Sequence, residues 1–66
     1  MKLNTGKIKL LLAMQGMNQS DLALKCGLAR QQISEVLTRG TCSLKTLGAL
    51  ANALGVTAGE IVVEVI

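Results

Sequence analysis

The apolar positions of the chain fall into short runs of helical period, and most of these runs stop at a glycine. After Asn18, a good N-cap, Leu22, Ala23 and Cys26 share one face of a helix over about residues 19–26. Gly27 follows. A second run over about 29–38 turns Ile33, Val36 and Leu37 inward and carries Arg30, Gln31, Gln32, Ser34 and Glu35 outside. Upstream, a helix is expected from Thr5-Gly6 to Gln15-Gly16. Ile8, Leu12 and Ala13 point inward there, Leu11 and Gln15 lie at the margin, and Lys7 and Lys9 are solvated. Leu10 and Met14 fall on its far side, at i, i+4 spacing. Residues 1–4 are a short lead-in. Downstream, a loop over 38–43 leads to Ser43, which caps a helix running to Leu54. Its inward face is Leu44, Leu47, Leu50, Ala51 and Leu54, while Lys45 and Asn52 point out. Gly55 ends it, and Val56 packs beneath.

The tail changes character. Thr57-Ala58-Gly59-Glu60 has the Ser/Thr-x-x-Glu form of a capping box. Ile61-Val62-Val63-Glu64-Val65-Ile66 is almost wholly β-branched, which favours strand. One turn of helix at about 58–61 and then an extended segment are expected. The chain thus reads as one all-α domain over 1–66, a four- to five-helix bundle. Residues 5–56 form the helical core, and 57–66 form a tail with a short C-terminal β-strand. Sixty-six residues lie near the lower size at which a chain folds alone.

Composition narrows the function. There is no aromatic residue, so the core must be Leu, Ile, Val, Met and Ala. Base stacking on aromatics, the usual device for single-stranded nucleic acid, is absent. Duplex DNA is left. The formal net charge of +3 is unevenly spread: residues 1–56 hold all seven Lys and Arg against Asp21 and Glu35, and the last ten hold only Glu60 and Glu64. A basic body with an acidic, apolar tail suits a phosphate-facing side and a separate contact side. Cys26 and Cys42 make no disulfide framework. Cys26 is expected on a buried helix face, Cys42 in a loop. With no His, no zinc site or other metal site is expected, and no cofactor. The start lacks the apolar stretch of a signal peptide, and no run spans a membrane. A cytoplasmic, reduced protein is expected.

Two helices joined by a glycine turn form the helix-turn-helix, whose second helix enters the DNA major groove. Gly16-Met17-Asn18-Gln19, Leu22-Ala23, Gly27, Ile33 and Ala53-Leu54-Gly55-Val56 resemble the Cro/repressor (Xre-type, lambda-repressor-like) DNA-binding domain of phages and bacteria. The resemblance covers about residues 6–61 and runs without a gap between Ile33 and Leu47. It implies that Arg30, Gln31 and Gln32, with Glu35 beside them, face base edges. Arg bridges guanine O6 and N7, Gln bridges adenine N6 and N7, and Glu accepts from cytosine N4. It also implies that Gln19, Arg39, Thr41, Ser43 and Lys45 lie where the family touches phosphates. The helix N-terminus at Gln19 offers free N–H groups to an anion.

Three departures stand out. Ala29 replaces the usual Ser, Thr or Asn cap of the second helix. Gly40 comes one residue later than the glycine of the closest phage repressors. Leu12 and Leu37 stand where many members carry a partly buried Arg–Glu pair. Replacing both charges with apolar residues is often neutral or stabilising, whereas removing one is costly.

The expected function is sequence-specific binding of double-stranded DNA by a transcriptional regulator, a repressor of a palindromic operator. A homodimer is expected, joined through Ile61, Val62, Val63, Val65 and Ile66. The alternative is a protein-interaction module such as an antitoxin, with its protein partner on the tail and on Leu10 and Met14. An enzyme is not expected: there is no His, no close carboxylate pair and no Gly-rich phosphate loop. No membrane partner is expected either, because no helix combines an apolar face with aromatic anchors and a strongly basic one.

Overall fold

The computed structural model describes residues 1–64; Val65 and Ile66, expected in the dimer contact, lie outside them. In chain order the elements are β1 (Lys2–Leu3), α1 (Thr5–Met14), α2 (Gln19–Cys26), α3 (Arg30–Arg39), α4 (Leu44–Leu54), α5 (Ala58–Ile61) and β2 (Val62–Glu64). The helices enclose one core. Ile8, Leu22, Ile33, Leu50 and Ile61 are its fully buried centre, one from each helix, with Leu12, Leu37, Leu47 and Leu54 around them. Leu12 and Leu37, which stand in for the family's charged pair, are both buried in it.

Each helix start has a local cause. Asn4 Oδ1 accepts from the Lys7 amide at 3.1 Å, and Ser43 Oγ accepts from the Thr46 amide at 3.3 Å. Asn18 and Asp21 form a reciprocal box, each side chain taking the other's backbone N–H. The stops follow a second rule. After α1, α2 and α4 a left-handed glycine is followed by an apolar residue, in Gly16-Met17, Gly27-Leu28 and Gly55-Val56. In each pair the second amide reaches back five residues: Met17 to the Leu12 carbonyl (2.9 Å), Leu28 to Ala23 (3.0 Å) and Val56 to Ala51 (3.0 Å). This is the Schellman stop, and the partly buried Met17, Leu28 and Val56 are its apolar anchors. Gly40 differs. The polar Thr41 follows it, and the Gly40 carbonyl instead accepts from the Leu3 amide at 2.7 Å.

That bond belongs to a feature absent from the sequence reading. Residues 1–4 are no idle lead-in: β1 pairs antiparallel with β2, with Leu3 opposite Val62 and Lys2 opposite Glu64. Leu3 enters the core. The tail therefore finds a strand partner in its own chain. One expectation for the tail, at Ile61, is corrected. That residue ends α5 with 0% of its surface exposed, so it is a core residue and not a dimer contact. The Asn4 amide donates to its carbonyl at 2.8 Å. Two helix-face expectations also shift outward. Ala13 is exposed, and Leu44, in the first turn of α4, is 70% exposed. Leu10 and Met14 are exposed, as expected, and Leu24 joins them.

Candidate nucleic-acid interface

The two helices of the motif are set by Gly27. Its φ of 70° and ψ of 28° lie in the left-handed region, where a Cβ is penalised, so the chain turns there in a single residue. Leu28 then drops against the core, and Ala29 begins the next helix in extended conformation.

α3 is the polar helix of the fold. Ile33 and Leu37 are buried, Val36 is half-buried, and Arg30, Gln31, Gln32, Ser34, Glu35, Thr38 and Arg39 are exposed. Two buried side chains one turn apart, backed by a half-buried third, are enough to dock the helix. The rest of its surface is left to solvent. All four residues expected at base edges are thus on the open surface of one helix.

They are not equivalent. Ala29 offers no side-chain cap, and Gln32 compensates: its Oε1 accepts from the Ala29 amide at 3.0 Å. Bidentate recognition of adenine requires both the oxygen and the nitrogen of the Gln amide. Gln32 already commits its oxygen within its own helix. Arg30, Gln31 and Glu35 are the residues whose ends are left to reach outward. The Ala29 departure and the Gln32 side chain are therefore one local solution to an uncapped helix start. The signal was legible, since Gln at the third helical position completes half of a capping box.

The residues expected at phosphates lie on three segments. Gln19 is half-buried at the first position of α2. Arg39 is the last residue of α3, and Thr41, Ser43 and Lys45 follow in the loop and the first turn of α4, all exposed. Ser43 is engaged, since its Oγ both caps α4 and donates to Thr46 Oγ1 at 3.1 Å. Arg39 and Lys45 supply the charge of this segment.

Cys42 lies in the same loop, between Thr41 and Ser43, and Cys26 ends α2. Cys26 Sγ is 3.6 Å from the Ala49 carbonyl and joins α2 to α4. Burial raises its thiol pKa above the ordinary value, and burial does the same to Cys42. Both are half-buried, and Cys26 packs against the core from the inner face of α2, as expected. Among the described residues no group of three or more His, Cys, Asp or Glu is placed to hold a metal ion. No helix among them is long and apolar enough to cross a membrane.

A polar helix docked by a glycine turn against a capped partner, inside a bundle of five helices, defines a helix-turn-helix domain. The sequence model of the helix-turn-helix family matches residues 8–61. The chain belongs to that family, the Xre or lambda-repressor-like helix-turn-helix proteins, and with it to the DNA-binding regulators of transcription. No curated protein matches the chain, and no solved structure does.

Proposed function

We propose that the protein is a transcriptional repressor that reads a palindromic operator in double-stranded DNA, with α3 in the major groove. The observation that carries this reading is the exposure of Arg30, Gln31 and Glu35 on a helix held by only Ile33, Val36 and Leu37. Arg30 reads guanine, Gln31 reads adenine, and Glu35 accepts from cytosine N4. Gln32 adds its amide N–H donors beside them. Gln19, Arg39, Thr41, Ser43 and Lys45 hold the backbone and fix the register without selecting sequence. The protein acts by binding, not catalysis, and works in the cytoplasm where the DNA is.

One such domain reads few base pairs, and a two-fold pair of domains reads a useful site. The pairing surface proposed is the outer edge of β2 with exposed Val63. β1 occupies the inner edge of β2, and an edge strand with free N–H and C=O groups favours a second strand. The second reading, an interaction module such as an antitoxin, is favoured by a separate observation. Leu10, Met14, Leu24 and Leu44 are large apolar side chains left exposed on the helices. Selection of bound duplexes from a random-sequence pool tests the choice. A repressor enriches a palindrome, and a pure interaction module enriches nothing.

A further inference from the structure

β1 has a second neighbour besides β2. Lys2 and Thr41 form an isolated antiparallel bridge, and the Cys42 amide donates to the Met1 carbonyl at 3.4 Å. With the Leu3-to-Gly40 bond of 2.7 Å, these contacts lay the start of the chain along the loop that follows α3. β1 therefore runs between that loop and β2. Side chains alternate along an extended segment. Leu3 points inward and is 5% exposed, so Lys2 points outward, and it is exposed. Residues directly opposite in an antiparallel pair project to the same side, with Cβ atoms about 4.5–5.5 Å apart. Lys2 thus stands beside exposed Thr41, in the loop that Arg39 and Lys45 flank.

We propose that Lys2 is a phosphate-contacting residue of the DNA interface, delivered to the end of α3 by the β1 bridge. The proposal rests on the DNA-binding reading above and adds a contact from outside the two motif helices. The ligand is the phosphodiester backbone. A lysine ammonium is a compact charge on a flexible stem, suited to a phosphate oxygen and not to the planar edge of a base. Glu64 is the register partner of Lys2 on the other edge of β1, at an irregularity between Lys2 and Leu3. An exposed pair of this kind is weak, while duplex DNA presents a charge about every 1.7 Å of its axis. The ammonium is therefore free to turn toward the Thr41 side when DNA arrives.

The test is the salt dependence of binding to a labelled random-sequence duplex, measured by fluorescence anisotropy over a series of KCl concentrations. Lys2→Gln is expected to reduce the slope of log K against log[KCl] by about 0.9, the value for one lost phosphate contact. Lys2→Arg restores the parent slope. Lys25→Gln removes the same charge from the last turn of α2 and leaves the slope unchanged. A parent slope in Lys2→Gln overturns the proposal. So does an equal loss in Lys25→Gln, which would make the effect one of net charge. If the parent itself binds no duplex, the DNA-binding reading fails and the Lys2 contact fails with it. If the parent binds with a steep slope that Lys2→Gln does not alter, the Lys2 contact fails alone.

Discussion

Gln32 Oε1 sits 3.0 Å from the backbone nitrogen of Ala29, three residues before it, and this one bond separates the members of the Arg-Gln-Gln run. Gln32 secures the start of α3; Arg30 and Gln31 are left for recognition. Gln32→Ala should lower stability by roughly 0.5–1.5 kcal/mol, the worth of a net hydrogen bond. Gln32→Glu should hold or raise stability, because a carboxylate completes the same bond and sits well at a helix N-terminus. Urea unfolding of the two variants checks this. Equal losses in both would deny Gln32 its capping role.

Gly27 tests the turn between the motif helices. A Cβ there would meet nothing within 4 Å, so the cost of Gly27→Ala is backbone conformation alone. A left-handed residue with a Cβ costs about 1–2 kcal/mol. Loss in that range is expected by thermal unfolding, with the helical spectrum intact. Gly27→Asn should lose less, since Asn tolerates the left-handed region better.

Ile61 and Val63 lie two residues apart in the tail and should behave oppositely. Ile61→Ala should cost about 2–5 kcal/mol, as for a buried aliphatic side chain. Val63→Lys should leave the melting temperature near that of the parent and, if β2 pairs with its two-fold mate, convert dimer to monomer in sedimentation. Loss of fold in Val63→Lys would place that residue in the core; an unchanged dimer would move the pairing surface elsewhere.

Alkaline pH gives a separate check. The thiols of Cys26 and Cys42 are raised by burial above the ordinary value of 9.0, so the folded state holds these protons more tightly than the unfolded chain does. Their contribution to stability is fully present below that value and is lost as pH rises through the folded pKa. Unfolding free energy should fall as the pH is taken above about 9. Cys26→Ser should flatten that fall, because serine does not titrate there. An equally steep fall in a variant lacking both cysteines would assign it to other groups.

Much of this architecture is written locally. Asn18, Ser43, Gly27 and Gly55 mark helix ends within a few residues of themselves, and the expected α2 and the Leu54 end of α4 coincide with those observed. What local pattern does not carry is pairing between the two ends of the chain. β1 is two residues long and its partner is at the far end, so no periodicity announces it. The Thr57–Glu60 capping turn was legible, with Glu60 Oε2 accepting from the Thr57 amide at 2.8 Å, and α5 ends at Ile61 as expected. That Ile61 faces the core was not, because its partners there come from distant parts of the chain. The exception at Gly40 was visible as a glycine followed by a polar residue, but only the fold shows that Leu3 takes its carbonyl. For the site, the α3 surface was legible from spacing. The division of labour within it was not, because it depends on which side chain answers an uncapped helix.

The central claim is that α3 reads base edges, and duplex selection with the parent and Arg30→Ala tests it most directly. The parent should enrich a palindrome whose half-sites lie about one helical turn, or roughly 34 Å, apart. On that palindrome Arg30→Ala should lose about 1–3 kcal/mol of discrimination at one base pair per half-site, while its binding to unrelated duplex changes far less. No enriched sequence, or an equal loss on enriched and unrelated duplexes, would contradict the account.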